Sequence, residues 1–150
     1  MAKTWLEKMN GKGDLPKRVR LEGGAARRAG GEIMVIPSPW DLRRLIATIP
    51  RGKVATVAEL RVALAREANA DVACPMTAGI FTWIASNYAA EAGEADFPWW
   101  RTLKSKGELI SRHPGGVEEQ RRRLAAEGIA CVERKARIYV EDLGRFLATL

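Results

Sequence analysis

From Ser38 onward the apolar residues of this chain recur at helical spacing, and the breaks between them are polar or rich in glycine and proline. Ser38 as a cap and Pro39 at the first helical position open a helix carrying Trp40, Leu42, Leu45, Ile46 and Ile49, which Pro50 stops. Residues 49–54 form a turn, and Thr56-Val57-Ala58-Glu59 reads as a capping box for a second helix through Leu60 and Leu64 to Ala68. Asn69-Ala70-Asp71 breaks the pattern. Cys74-Pro75 then starts a third helix, whose Ile80, Phe81, Trp83, Ile84 and Tyr88 give a broad apolar face ending near Gly93. Two helices joined by a short break make a helix-turn-helix candidate.

Further on, residues 98–103 read as extended, 104–107 as a turn and 108–110 as a returning strand, a hairpin that would serve as a wing. Residues 117–127 form a charged amphipathic helix stopped by Gly128, 129–133 and 137–140 a second hairpin, and 141–150 a short closing helix. Upstream, residues 8–31 contain six glycines, scattered charge and almost no apolar periodicity. Such a stretch buries too little to offset its ordering. Residues 1–31 are therefore expected to be a basic flexible arm whose removal leaves the fold intact, with residues 32–36 a strand or an extended lead-in. The expected fold is mainly α with small β, a winged helix (helix-turn-helix plus wing hairpin) over residues 32–150. A chain of 150 residues supports one such core.

A net charge of +7 suits a polyanionic partner, because Lys and Arg release counterions from phosphate. Its placement is uneven: Lys3, Lys8, Lys12, Lys17, Arg18, Arg20, Arg27 and Arg28 face only Glu7, Asp14 and Glu22 in residues 1–31, leaving +2 for the remainder. The arm reads equally as a solubilising tail or as a source of sequence-independent DNA affinity. No apolar run approaches the roughly 18–20 residues of a spanning helix, and the opening residues lack the apolar stretch of a signal peptide, so a cytoplasmic protein without a membrane partner is expected. Cys74, Cys131 and the single His113 have neither zinc spacing nor a disulfide framework. No metal or cofactor is expected, and the chain is expected to be a monomer.

Three separated motifs, in order, carry a family resemblance. Ile49-Pro50-Arg51-Gly52-Lys53-Val54 resembles the lead-in to the DNA-binding domain of alkylguanine-DNA alkyltransferases. Pro98-Trp99-Trp100-Arg101 stands where that family has Pro-Cys-His-Arg, and Ser105-Lys106-Gly107-Glu108-Leu109 is similar to the turn that follows. Gly115-Gly116, Gln120, Leu124 and Glu127-Gly128 resemble its closing helix. Over residues 38–140 the chain is most similar to the alkyltransferase-like proteins, which lack the cysteine, often carry Trp instead, and bind alkylated DNA without repairing it. The resemblance implies double-stranded DNA, alkylated, as a partner, a repair protein as a further one, and marking of the lesion for repair as the outcome.

It also implies that no chemistry occurs. Alkyl transfer needs a thiolate and a base to generate it. Trp99 takes the cysteine position and Trp100 the histidine position. The two tryptophans are either packing or a stacking surface for an extruded base. Arg101 supports that pocket, contacts phosphate, or is buried against backbone carbonyls. Glu127 matches the family's orienting carboxylate, although an exposed residue near a helix end is the plainer reading. Asn87 matches an asparagine the family keeps after its recognition helix. Trp99, Trp100, Arg101 and Asn87 thus form the expected lesion pocket. Thr56, Val57, Met76, Thr77 and Ala78 with the wing residues Lys104 and Lys106 form the expected DNA contacts. Val57 and Ala78 fall where the family has a phosphate-pressing tyrosine and an arginine finger, and neither residue can do those tasks. The first turn of the third helix is small and uncharged, which suits approach to phosphate rather than base-specific reading. Two other functions stay open: a protein-interaction module, and a thiol enzyme using Cys74 ahead of a helix N-terminus.

Overall fold

Local caps set the helical frame. The computed structural model describes residues 3–11 and 13–150. In chain order these form α1 (Trp5–Asn10), β1 (Lys17–Arg20), α2 (Gly23–Ala29), β2 (Ile33–Ile36), α3 (Pro39–Ile46), β3 (Ala55–Thr56), α4 (Val57–Glu67), β4 (Val72–Ala73) and α5 (Pro75–Glu91). A single 3-10 turn (Trp99–Arg101) follows, then β5 (Thr102–Leu103), α6 (Gly116–Ala126), β6 (Cys131–Arg134), β7 (Arg137–Val140) and α7 (Leu143–Phe146). Both helix starts expected from caps are present: Ser38 and Asp41 form one capping box, Thr56 and Glu59 another. Each answers two backbone N–H groups that have no partner inside the helix.

The architecture is mostly helical with small sheets and a C-terminal hairpin. β1 runs antiparallel to β2, β2 parallel to β4, β3 parallel to β5, and β6 antiparallel to β7. One apolar cluster joins α3, α4 and α5 through Leu42, Ile46, Leu60, Leu64, Ala78 and Ala85. A second joins Leu103, Leu109, Leu124, Ile129 and Val140. Trp100 packs against both. No described helix is long and apolar enough to cross a membrane.

Three expectations require correction. The segment expected as an arm carries α1, β1 and α2 among its described residues, Lys12 lying outside them. Met9 is only 1% exposed in the first cluster, Trp5 meets Trp83 edge-on with centroids 6.1 Å apart, and β1 pairs residue by residue with β2. Isolated apolar residues reach distant partners there, which periodicity does not register. The expected wing hairpin over 98–110 is reduced to its tip, closed by Lys104 N–H to Glu108 O (2.9 Å), with no strand pairing between its two sides. Residues 99–101 make a 3-10 turn, β5 pairs with β3, and after the turn at Lys104 the chain bonds β7 instead, through Leu109 N–H to Ile138 O (2.9 Å) and Val140 N–H to Gly107 O (3.0 Å). The closing helix shrinks to α7, because the chain beyond it runs beside Val54, whose N–H and C=O bond Phe146 O and Ala148 N–H.

Candidate functional site

The segment between Trp99 and Thr102 is fixed from both sides by α6. Glu127, at the end of α6, accepts from Gly52 N–H (2.8 Å), Trp100 Nε1 (2.7 Å) and the Arg101 guanidinium (Nε 3.0 Å, Nη2 2.9 Å). Its side chain is 3% exposed and that of Arg101 13%, so the reading of Glu127 as an exposed residue is overturned. Burial opposes its ionisation, but hydrogen bonds from Arg101, Gly52 and Trp100 win, and its pKa lies below the ordinary carboxylate value. Arg101 also donates to Ile49 O (2.8 Å). It is a buried tie between the turn at 49–52 and α6, as one of its sequence readings has it.

Gln120, fully buried, accepts from Ile110 N–H (2.9 Å) and donates to Thr102 O (2.7 Å) and Trp100 O (3.1 Å). Thr102 Oγ1 donates to Trp99 O (2.7 Å), so its single proton is committed and the His113 Nε2–H must donate to it (2.8 Å). His113 Nδ1 is buried without a partner. A second proton on the ring would be stranded there, and burial, partly offset by hydrogen bonding to Thr102, pushes the pKa down to about 3. His113 is therefore a neutral brace.

Trp99 is 5% exposed, edge-on to Trp100 (5.8 Å) and tilted against His113 (5.3 Å). It borders an open cavity of about 380 Å³ whose other walls are Ala89 and Ala90 at the end of α5, residues 93–95 of the turn after it, the loop Pro114-Gly115, and Glu119 and Arg123 of α6. The Arg123 guanidinium lies 5.1 Å from the Trp99 ring and 4.9 Å from Trp100, and Glu119 holds its Nε at 2.9 Å. Gly115 is required by close approach: a Cβ there would stand 2.7 Å from Glu119 Cβ, and its φ is +77°. Arg43 pairs with Glu94 and closes the far rim.

The expected pocket residues are only partly brought together. Trp99 lines the cavity, with Trp100 beside it. Arg101 faces away, into its carboxylate. Asn87 does not line the cavity either: its Nδ2 donates to Trp83 O (2.8 Å) and Arg112 O (2.7 Å), securing the loop below the cavity to α5. Among the expected DNA contacts, Thr56 (1% exposed), Val57 (8%) and Ala78 (0%) are buried, since they cap or pack the helices. Met76 is 69% exposed and Ile80, one turn on, 36%; Thr77 is half-buried. Lys104 is exposed but pairs with Glu108 (3.4 Å), whereas Lys106 clusters with Arg134, Lys135 and Tyr139 of the hairpin. Sequence reasoning missed Arg123, Glu119 and Arg112, the last with its guanidinium 4.8 Å from the Trp83 ring. Only the α6 motif hinted at the first two.

The cysteines stand apart. Cys74 is buried at the start of α5, and Ala89 lies fifteen residues further along, about 22 Å at the helical rise. Cys131 sits on β6, its thiol pushed up by burial. Neither lines the cavity, and no cluster of His, Cys, Asp and Glu among the described residues could hold a metal.

No protein-family model and no curated protein sequence matches the chain. Solved structures do. One is S. pombe Atl1 in complex with damaged DNA containing O6-carboxymethylguanine, at 24% identity and a TM-score of 0.52, covering 73% of this chain and 93% of that one. Another is S. pombe ATL in complex with DNA, at 22% identity and 0.51 over the same shares. The chain thus has, over 73% of its length, the fold of S. pombe Atl1, an alkyltransferase-like protein.

Proposed function

We propose that this protein is a non-catalytic, winged-helix-type reader of duplex DNA that holds an extruded O-alkylated guanine in the cavity beside Trp99. The carrying observation is that cavity, with the Trp99 indole as a wall and the Arg123 guanidinium held over its ring; by sequence resemblance Trp99 takes the position of the enzymes' cysteine. Stacking on an aromatic face recognises any base, and Arg123 adds a donor for its oxygen edge. With both thiols elsewhere, the cavity offers no thiolate to accept an alkyl carbon, so the lesion is bound and not repaired. Met76 and Ile80, exposed on α5, contact the duplex in place of the buried Val57 and Ala78. Recruitment of a repair protein would follow from a lesion that stays bound.

The test is titration of matched duplexes, with and without an O-alkylated guanine. Arg123→Gln and Trp99→Phe, both chosen to preserve folding, should each reduce the preference for the lesion, by up to the roughly 1–3 kcal/mol of one stacked base for the Trp wall. Lys106→Ala should weaken both duplexes alike. Mass spectrometry should find the protein unmodified after incubation, whereas an adduct on Cys74 or Cys131 would restore the thiol reading. The exposed Met76 and Ile80 favour one second reading, a protein-interaction module, which gains if the folded wild type binds no duplex.

A further inference from the structure

We propose that β1 and α2 form a basic ledge beside the start of α5 that contacts the phosphates of duplex DNA flanking the lesion. This rests on the DNA-binding reading above and adds a second contact surface to it. The ledge is tied to α5 by continuous hydrogen bonding. β4 runs directly into the Cys74 cap of α5, Cys74 N–H donates to Val35 O (2.9 Å), and Asp71 Oδ2 accepts from Ile33 N–H (2.9 Å) and Glu32 N–H (3.1 Å). The approach is close enough to need glycine: a Cβ on Gly31 would stand 2.3 Å from Asp71 Cβ.

Register then fixes where the cations lie. Arg18 pairs with Val35, and Val35 with Ala73, two residues before α5 begins. Two strand spacings put Arg18 about 10 Å from Ala73, so its long side chain is within reach of a phosphate run crossing the exposed first turn of the helix that begins two residues further on. Arg18 and Arg20 share one face of β1, opposite half-buried Val19. Arg27 and Arg28 occupy the last turn of α2, just before β2. All four are exposed, and only Arg20 has an acidic partner among the described residues, Glu32 at 2.9 Å. Three exposed guanidinium groups with no acidic partner among the described residues match a polyanion that presents charge at regular intervals. An edge strand also carries cations to repel other strands, and that role would leave DNA binding untouched.

The experiment compares the full chain with the triple variant Arg18→Gln/Arg27→Gln/Arg28→Gln by anisotropy on an unmodified duplex of about 20 base pairs, between about 50 and 200 mM salt. Each lost phosphate contact lowers the slope of log K against log salt by about 0.9, so a decrease of about 2–3 is expected. The Arg→Lys triple should restore the slope, and the preference for the lesion should be unchanged because the cavity is untouched. Wild-type slope in the Gln variant overturns the ledge alone and leaves the cations as edge guards. A wild type that binds no duplex overturns the DNA reading itself, and the ledge with it.

Discussion

Glu127→Ala is the most searching single perturbation of the site's frame. It would strand the Arg101 guanidinium, 13% exposed, and orphan the Trp100 indole N–H and the Gly52 N–H. Removing one partner of a buried pair costs about 3–5 kcal/mol, and each neutral donor left dry about 1–3 within that figure. For a domain of this size the melting temperature should fall by about 6–20 °C. The assay is equilibrium unfolding in urea followed by tryptophan fluorescence, on wild type, Glu127→Ala, Arg101→Met and the double variant. The double variant should be less destabilised than the sum of the singles by about 2 kcal/mol or more, because it leaves no uncompensated charge. Glu67→Ala is the control: its bidentate pair with Arg44 is exposed and worth at most about 1 kcal/mol. A loss below about 1 kcal/mol for Glu127→Ala, with no coupling to Arg101, would refute the hub.

Met9→Ala should cost about 2–5 kcal/mol by thermal or urea unfolding if the N-terminal segment packs as described, and nothing measurable if that segment is a detached arm. Acid should weaken the fold through His113: its pKa is lowered in the folded state, so the unfolded chain takes up the proton first. Its contribution is complete above the ordinary histidine pKa of 6.5 and is lost as pH falls toward about 3. Between pH 6.5 and 5, above the carboxylate range, wild type should lose about 1.1 kcal/mol per pH unit on average more than His113→Gln, the slope steepening toward pH 5, and parallel curves would exclude the buried neutral ring.

How far the sequence was legible follows from the range of the interactions involved. α3, α4 and α5 announce themselves because a cap, a proline and a periodic apolar face all lie within one segment. α1 and β1 do not, since Trp5, Met9 and Val19 each find partners far along the chain and leave no repeat behind. β5 has two residues and pairs with β3, itself two residues long and 47 positions earlier; local pattern instead favoured a hairpin with residues 108–110. Within the site, Trp99 was located by its motif, whereas Asn87, matched as a residue after the recognition helix, lies inside α5 and away from the cavity. Alignment between the flanking motifs selects Ala78 but not the side of α5 it occupies, and Ala78 is buried in the core with Thr82. Arg123 carries no motif of its own. Its role comes from α6 lying across the two tryptophans.

The Gln120 side chain has a mechanical meaning. With one amide it holds Trp100, Thr102 and Ile110, and Thr102 and His113 bolt Trp99 to the same frame, so the indole side of the cavity behaves as an anvil. The opposite side is Ala89, Ala90, Gly93 and Ala95, small residues of the C-terminal end of α5 and the turn after it. On the proposed reading, tolerance for adducts of different bulk is then a property of that helix end, and the stacking plane stays constant whatever the adduct.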